Sequence, residues 1–361
     1  MTNLNAAPQV RSGAKRNLYE LSREELDEFV SAFGEERYRA QQIWRWMYEE
    51  PVDRFDSMAN LPGKLRAKLK ASALLGSLEM VAKQRSRDGT EKRVYRLRDD
   101  QLVESVLMPY ADDRKTACIS SQAGCAMGCV FCATGQMGFA RNLTAAEIFE
   151  QAMIFARELN ARGERLSNVV FMGMGEPFHN YDASLAAVRQ LMNRLKLGAR
   201  HITISTVGMA PQIRRFADEG LQVRLAVSLH KTDDSQRSAL MPVNGRWGID
   251  ELMDACRYYV TRTNRRVTFE WAAIAGENDS VDEAHRLGRL LSGLLCHINI
   301  IPLNPTRGYG GAPAKAERLK RFTAVLQDYG LNSTVRVRRG IDIDAGCGQL
   351  KAALTRAAEN A

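Results

Sequence analysis

From Thr116 onward the chain repeats one pattern: a short β-rich run, a loop, then an amphipathic helical stretch. The β-rich runs fall at 118–121, 169–172, 202–206, 225–229, 267–271, 298–303 and 334–337. The helical stretches begin at the capping box Thr144-x-x-Glu147 and continue near 181–196, 210–219, 249–262, 281–295 and 314–329. Strands that alternate with helices of this length need crossover connections, and crossovers produce a parallel sheet. Six or so such units are too few to close an eight-stranded barrel. The expected fold is therefore α/β, a partial (βα)6 barrel. In that architecture chemistry sits on the loops at the C-terminal ends of the strands.

The loop after the first run holds Cys125, Cys129 and Cys132, spaced C-x3-C-x2-C. One loop can turn three sulfurs at that spacing toward a common point. A closed structural zinc site takes four ligands, usually as two separated pairs. In a cubane of four irons, three thiolates leave one iron open, which a reaction needs and an electron carrier does not. A zinc knuckle completed by a distant fourth ligand is the alternative. Phe131, just before the last cysteine, would keep water off such a cluster.

Gly173, Met174, Gly175, Glu176 and Pro177 follow the second run. Two glycines let backbone approach a ligand, as they also do in a plain tight turn, and Glu176 could hold an ammonium group. Ser205, then Ser228, Leu229 and His230, then Asn304 end later runs. A ribose, carboxylate or adenine edge would need hydrogen bonds there, although caps and turns use the same residue types.

The 361 residues, 45% hydrophobic and 26% charged, have ordinary globular proportions and room for two domains. No apolar run approaches the ~18 residues of a membrane span. Residues 1–17 are polar and basic without a hydrophobic centre; they read as a flexible arm, not a secretory signal. Seven cysteines, three of them bunched, point to metal and redox chemistry in a reducing cytoplasm. Cys256 and Cys296 read as core. Net charge is +9, with basic clusters at Lys83, Arg85, Arg87, Lys92, Arg93, Arg96 and Arg98 and at Arg336, Arg338 and Arg339. Such clusters suit phosphate contacts. Residues 18–77 read as a small basic helical domain, an RNA-binding accessory or a plain cap, opened by the capping box Ser22-x-x-Glu25. Residues 78–112 read as a linking β-hairpin, and 113–361 as the catalytic barrel.

The cysteine triplet with an aromatic before its last member resembles the signature of radical S-adenosylmethionine (SAM) enzymes. The glycine–glutamate motif is similar to the one with which that superfamily grips the amino group of SAM. The runs leading into and out of the triplet (118–125 and 133–144), Ser228 to His230, and residues 342–350 narrow the likeness. Over residues 18–355 the chain resembles the RlmN/Cfr family of RNA adenine methyltransferases.

The resemblance implies a [4Fe-4S] cluster on Cys125, Cys129 and Cys132. It implies SAM held by Gly175, Glu176, Ser205, Ser228, Leu229, His230 and Asn304. It further implies methylation of carbon-2 of an adenine in 23S rRNA, and of an adenine beside the anticodon in tRNA. Carbon-2 is an electron-poor amidine carbon, so the family's route is covalent. Cys347 becomes S-methylcysteine and its carbon joins the base in a transient protein–RNA crosslink. Glu104 takes the carbon-2 proton, and Cys118 attacks the sulfur of Cys347, forming a disulfide as the product leaves. A Cfr-like carbon-8 methyltransferase and a zinc-stabilised RNA-binding protein are the alternatives; Gln136-x-Gly138-Phe139 resembles the carbon-2 subgroup. The same reading implies a flavodoxin-like electron donor and a monomeric cytoplasmic protein without membrane attachment.

Overall fold

The computed structural model describes residues 15–351, and the chain divides into two compact units after Ser77. Most of the expected arm at 1–17 lies outside the described residues. In the first unit β1 (Arg16–Asn17) precedes α1 (Arg23–Ser31), α2 (Arg37–Tyr48), α3 (Gly63–Ser72) and β2 (Ala73–Leu74). β1 pairs in parallel with β2. The Ser22 hydroxyl accepts from Glu25 N while the Glu25 carboxylate accepts from Ser22 N, so the S-x-x-E pattern closes both ways. Leu26, Val30, Ile43, Met47, Leu65 and Leu69 form the core of this unit.

The second unit opens with three antiparallel strands, β3 (Glu79–Arg85), β4 (Glu91–Arg96) and β5 (Leu102–Pro109). The chain continues through β6 (Lys115–Cys118), β7 (Gln122–Gly124), α4 (Ala133–Gln136), β8 (Phe139–Asn142) and α5 (Ala145–Asn160). Next come β9 (Asn168–Phe171), α6 (Tyr181–Asn193), β10 (Ile202–Thr206), α7 (Ala210–Asp218), β11 (Arg224–Ser228), α8 (Asp234–Leu240) and α9 (Ile249–Thr263). The last elements are β12 (Val267–Ala273), α10 (Val281–Leu291), β13 (Cys296–Pro302), α11 (Ala316–Asp328) and β14 (Ser333–Val335).

Ten of these strands form one sheet in the order β14-β13-β12-β11-β10-β9-β6-β5-β4-β3. Every pairing from β6 to β14 is parallel, as the alternation of runs and helices requires. β14 and β3 are the two edges, so the barrel stays open. The expected hairpin has a third strand and continues the barrel sheet through the β5–β6 pairing. β7 and β8 make a separate two-stranded ribbon that closes the base of the cysteine loop. Among the described residues no helix is long and apolar enough to cross a membrane.

Period-2 alternation divides each barrel strand between two surroundings. In β12, Val267, Phe269, Trp271 and Ala273 are fully buried in the core, whereas Thr268 and Glu270 line the barrel interior. In β10, Ile202 and Ile204 belong to the core and Thr203 and Ser205 line the interior. β13 does the same with Ile298 and Ile300 against His297 and Asn299. The interior therefore carries polar groups among apolar walls, with a wholly apolar layer outside it.

The basic cluster at 83–98 is largely consumed by internal pairing. Arg93 is buried and gives both Nη atoms to Glu158 at 2.7 and 2.6 Å, and it also pairs with Glu91. Lys83 meets Glu91 at 2.9 Å, Lys92 meets Glu104 at 3.6 Å and Arg96 meets Glu79 at 3.4 Å. Charge counting along the sequence overstated what this segment offers to a phosphate. Arg93→Ala leaves Glu91 and Glu158 without their shared cation, and we expect a stability loss of about 3 kcal/mol in urea unfolding. A loss below about 0.5 kcal/mol, the value of an exposed pair, would contradict the assigned role.

Candidate active site

Two cavities occupy the barrel interior. The first, about 170 Å³, lies at the C-terminal ends of the strands and is lined by Cys125, Cys129, Cys132, Gly175, Glu176, Ser205, Ser228, His230 and Asn304. The second, about 320 Å³, reaches toward the N-terminal ends and includes Cys118. Cys347, Asn304, Glu270, Met172 and Ile301 belong to the walls of both.

The cysteine loop is shaped by close backbone packing. A Cβ on Gly135 would come 2.9 Å from Cys129 O, so only glycine lets the turn fold against the loop. Gly175, at φ +98°, would place a Cβ 2.5 Å from Gln122 Cβ. Burial pushes the Cys125 thiol up to about 12 and Cys129 well above the ordinary thiol range, the other cysteines adding to the effect. Thiols in that setting stay protonated until a cation displaces their protons. Among the described residues no three Cys, His, Asp or Glu are drawn together as ligands of a single ion would be. Cys125, Cys129 and Cys132 line one cavity, so their thiols could hold a cluster seated there.

Glu176 is buried, and its carboxylate accepts from Phe178 N at 3.0 Å and Val207 N at 2.8 Å. Burial pushes its carboxyl up to about 7 despite those bonds. No lysine or arginine among the described residues pairs with it, so an ammonium-bearing ligand fits the cavity. His230, at φ +61°, accepts from Ala272 N through Nδ1 at 2.9 Å and lies edge-on to Phe131. Burial pushes it down to about 3, so the ring is neutral and its proton sits on Nε2. Asn304 gives Nδ2 to Cys347 O at 3.1 Å. Leu229 is fully buried and lines neither cavity; its carbonyl accepts from Arg237 Nε at 3.1 Å.

Cys347 sits on a loop tied to the cysteine loop and to β3–β5. Ala133 N donates to Gly348 O at 2.7 Å, and the Thr134 hydroxyl donates to Leu350 O at 2.6 Å. On the other side Ser86 Oγ donates to Asp342 at 2.6 Å, Gly340 N donates to Asp88 at 2.9 Å, and Lys92 Nζ reaches Asp344 O at 3.4 Å. The Cys347 side chain is exposed, yet it is enclosed by the concave wall. Desolvation by that wall, then the nearby Glu270, pushes its thiol up to about 11. Burial also pushes Cys118 up, with Cys347 as the second cause. All seven cysteines are free thiols. Glu104 is buried outside both cavity walls, 3.6 Å from Lys92 Nζ, and accepts from Lys351 N at 3.2 Å.

Two residues escaped the sequence reading. Arg237, fully buried, donates to the carbonyls of Val207, Ser228 and Leu229 and to Asn244 Oδ1, so it fixes the ends of β10 and β11. Nothing in its local sequence distinguishes it from a surface helix residue. Glu270 accepts from Asn299 Nδ2 at 3.0 Å. The alternation Val267, Thr268, Phe269, Glu270, Trp271 could have revealed it as an inward carboxylate.

Comparison with known proteins agrees with this geometry. Residues 16–75 match the ribosomal RNA large subunit methyltransferase N-terminal domain, and residues 119–288 match the radical SAM superfamily. The chain is 51% identical over 348 residues to dual-specificity RNA methyltransferase RlmN 1 of Myxococcus xanthus, covering 96% of this chain and 97% of that one. It is 44% identical over 342 residues to a probable dual-specificity RNA methyltransferase RlmN of Staphylococcus carnosus, covering 94% and 93%. A crystal structure of a radical SAM methyltransferase from Sphaerobacter thermophilus superposes with a TM-score of 0.90 at 49% identity, covering 94% of this chain and 100% of that one.

Glu270 makes the site's electrostatics measurable. Burial, against Asn299 and Arg336, raises its carboxyl from 4.5 to about 7. The folded state then binds the proton more tightly than the unfolded chain, so this group lowers stability as pH rises from 4.5 through 7. Glu270→Gln is expected to be more stable than the parent at about pH 8, by up to roughly 3 kcal/mol, with no difference near pH 4.5. Thermal unfolding across that range checks it; equal stability at both ends would show that Glu270 is ionised at no cost.

Proposed function

Since the chain belongs to the RlmN family of radical SAM methyltransferases, we propose that this enzyme methylates carbon-2 of an adenine in 23S ribosomal RNA. An adenine beside the anticodon of transfer RNA is the second substrate in this reading. The observation that carries it is the position of Cys347, the one thiol in the walls of both cavities. A carbon received on the side of the first cavity can be handed to a base in the second without moving the loop.

Cys125, Cys129 and Cys132 would hold a [4Fe-4S] cluster and leave one iron for SAM. Glu176, Gly175, Ser205, Ser228, His230 and Asn304 would surround the SAM ligand, with Glu176 on its ammonium group. When bound, that pair of groups supplies the methyl group and the one-electron chemistry that an unactivated amidine carbon requires.

The protein's own residues do the rest. Cys347 must first lose its proton, which desolvation by the cavity wall opposes, and Glu270 in the same wall is suited to accept it. The sulfur then carries the methyl carbon; once the SAM-derived one-electron chemistry has removed a hydrogen atom from that carbon, it would bond to carbon-2 of the base, and the odd electron left on the ring would return to the one-electron carrier. Glu104 takes the carbon-2 proton in this reading, which requires its carboxylate to leave both Lys92 and Lys351 N and to reach the cavity wall from outside it. The Cys118 thiolate attacks the sulfur of Cys347. The sulfur–carbon bond breaks with its electron pair going to carbon, which takes up a proton to become the methyl group, and a disulfide forms. An external one-electron donor and a reductant for that disulfide follow from the scheme. We assign residues 18–77 to RNA binding and the protein to the cytoplasm, as a monomer.

The test is nucleoside analysis of RNA treated with reduced, SAM-loaded enzyme. The parent protein is expected to yield 2-methyladenosine and Cys347→Ala none, although the variant retains SAM binding. Methylation by Cys347→Ala would end the covalent route, and 8-methyladenosine from the parent would move the activity to the Cfr type.

A further inference from the structure

A buried positive charge without a carboxylate beside it is costly, so its place in a fold calls for a reason. Arg237, in the last turn of α8, is fully buried, and among the described residues no carboxylate lies at ion-pair distance from it. Its donors go to neutral groups instead. Nε donates to Leu229 O at 3.1 Å, Nη1 to Asn244 Oδ1 at 2.6 Å, and Nη2 to Val207 O at 2.7 Å and Ser228 O at 2.9 Å. A guanidinium presents its donors as a planar fork, so one side chain spans the ends of two strands at once.

Those strand ends carry part of the wall of the first cavity. Val207, whose carbonyl Arg237 holds, gives its N–H to Glu176 at 2.8 Å, and Glu176 lines that cavity. Ser228, held through its carbonyl, lines it too, and the Leu229 carbonyl stands just before His230, another wall residue. Arg237 itself lines neither cavity. It touches no ligand there and sets the residues that do.

The end of the same helix meets the cysteine loop. Met241 N donates to Arg237 O at 2.7 Å, and Val130 N donates to Leu240 O at 3.0 Å. Leu240 and Met241 pack with Cys129 in one buried apolar cluster. Burial pushes Arg237 down to about 10, which leaves it cationic at neutral pH, and Cys129 is the first group that opposes the fall, ahead of Asp234. A thiol that gives up its proton to bind iron supplies the negative charge that this cation lacks.

We propose that Arg237 is a positioning residue for the reaction: its fork fixes Val207 and Ser228, and through Val207 also Glu176, around SAM, while its charge stabilises the Cys129 thiolate. This rests on the SAM-and-cluster reading of the site and adds a residue that touches neither group. Lysine would keep the charge, but as a point donor on a flexible stem it cannot bridge three carbonyls. Glutamine lacks both the charge and the fork.

The experiment compares anaerobically prepared, cluster-loaded Arg237→Lys and Arg237→Gln with the parent. SAM affinity is measured by equilibrium dialysis, and the cluster's midpoint potential by EPR-monitored titration without SAM. Iron content and thermal unfolding are read on the same samples. Losing a residue that orients binding groups costs about 10–100-fold, so both variants are expected to bind SAM at least about tenfold more weakly per cluster. At the parent's midpoint the reduced-to-oxidised ratio of Arg237→Gln is expected to fall about threefold, a midpoint about 30 mV lower at ~59 mV per tenfold. Arg237→Lys is expected to keep the parent's potential. Arg93→Lys, which disturbs the buried pairing with Glu158, is expected to lower the unfolding temperature without moving SAM affinity or potential.

Parental SAM affinity in Arg237→Lys overturns the proposal, whether or not Arg237→Gln folds. A parental potential in folded Arg237→Gln overturns it as well, and so does an equal weakening of SAM binding by Arg93→Lys, which would reduce Arg237 to a source of stability. A parent that takes up no iron and binds no SAM refutes the functional reading on which the proposal stands.

Discussion

The loop that carries Cys347 is held from both sides by hydrogen bonds, and the rest of the site depends on that restraint. Ala133 and Thr134, at the start of the short helix after the cysteine triplet, bind the carbonyls of Gly348 and Leu350. Ser86, Asp88 and Lys92 hold the same loop from the antiparallel strands. Gly348 adopts φ +80°, a conformation that L side chains rarely take, which fits glycine next to the thiol. Each bond contributes only about 1 kcal/mol. Together they fix one sulfur between two cavities, where a freely moving loop would sample many positions.

Electrostatics inside the barrel follow from that enclosure. Burial raises the carboxyls of Glu176 and Glu270 and the thiols of Cys125 and Cys347, so these groups rest in their neutral forms. Arg237 is a buried cation at the ends of β10 and β11, satisfied by strand-end carbonyls and Asn244 and, among the described residues, without a carboxylate at ion-pair distance. A ligand with an ammonium group and a cluster that replaces thiol protons would restore charge where the protein has suppressed it. Lys92 and Glu104 pair within the antiparallel strands, and the bonds from Lys92 to Asp344 O and from Lys351 N to Glu104 tie that pair to the Cys347 loop.

Much of this was legible in the sequence. The alternation of runs and helices gave the parallel open barrel, because crossover geometry admits few other solutions. Both capping boxes form as written at Ser22 and Thr144. The cysteine spacing and the residues after strand ends converge on one cavity, Leu229 excepted. What local sequence could not show was non-local pairing. Arg93 meets Glu158 from 65 residues away, so a segment that reads as a phosphate-binding strip is mostly spent on folding. Glu270 stands at an inward position of an alternating strand, a signal the local pattern does carry, whereas the arginines that line the second cavity are scattered along the chain until the sheet brings them together. The third antiparallel strand and the small ribbon under the cysteine loop were missed because they are short or strongly charged.

The most direct test of Cys347 as the carbon-carrying residue is the fate of RNA on Cys118→Ala. The variant is incubated with SAM, a low-potential reductant and substrate RNA, then denatured, digested and analysed by mass spectrometry. The account predicts an adduct in which one methylene carbon joins the sulfur of Cys347 to an adenine, because the thiol that would release it is gone. Free methylated RNA with no adduct on Cys347 would contradict it.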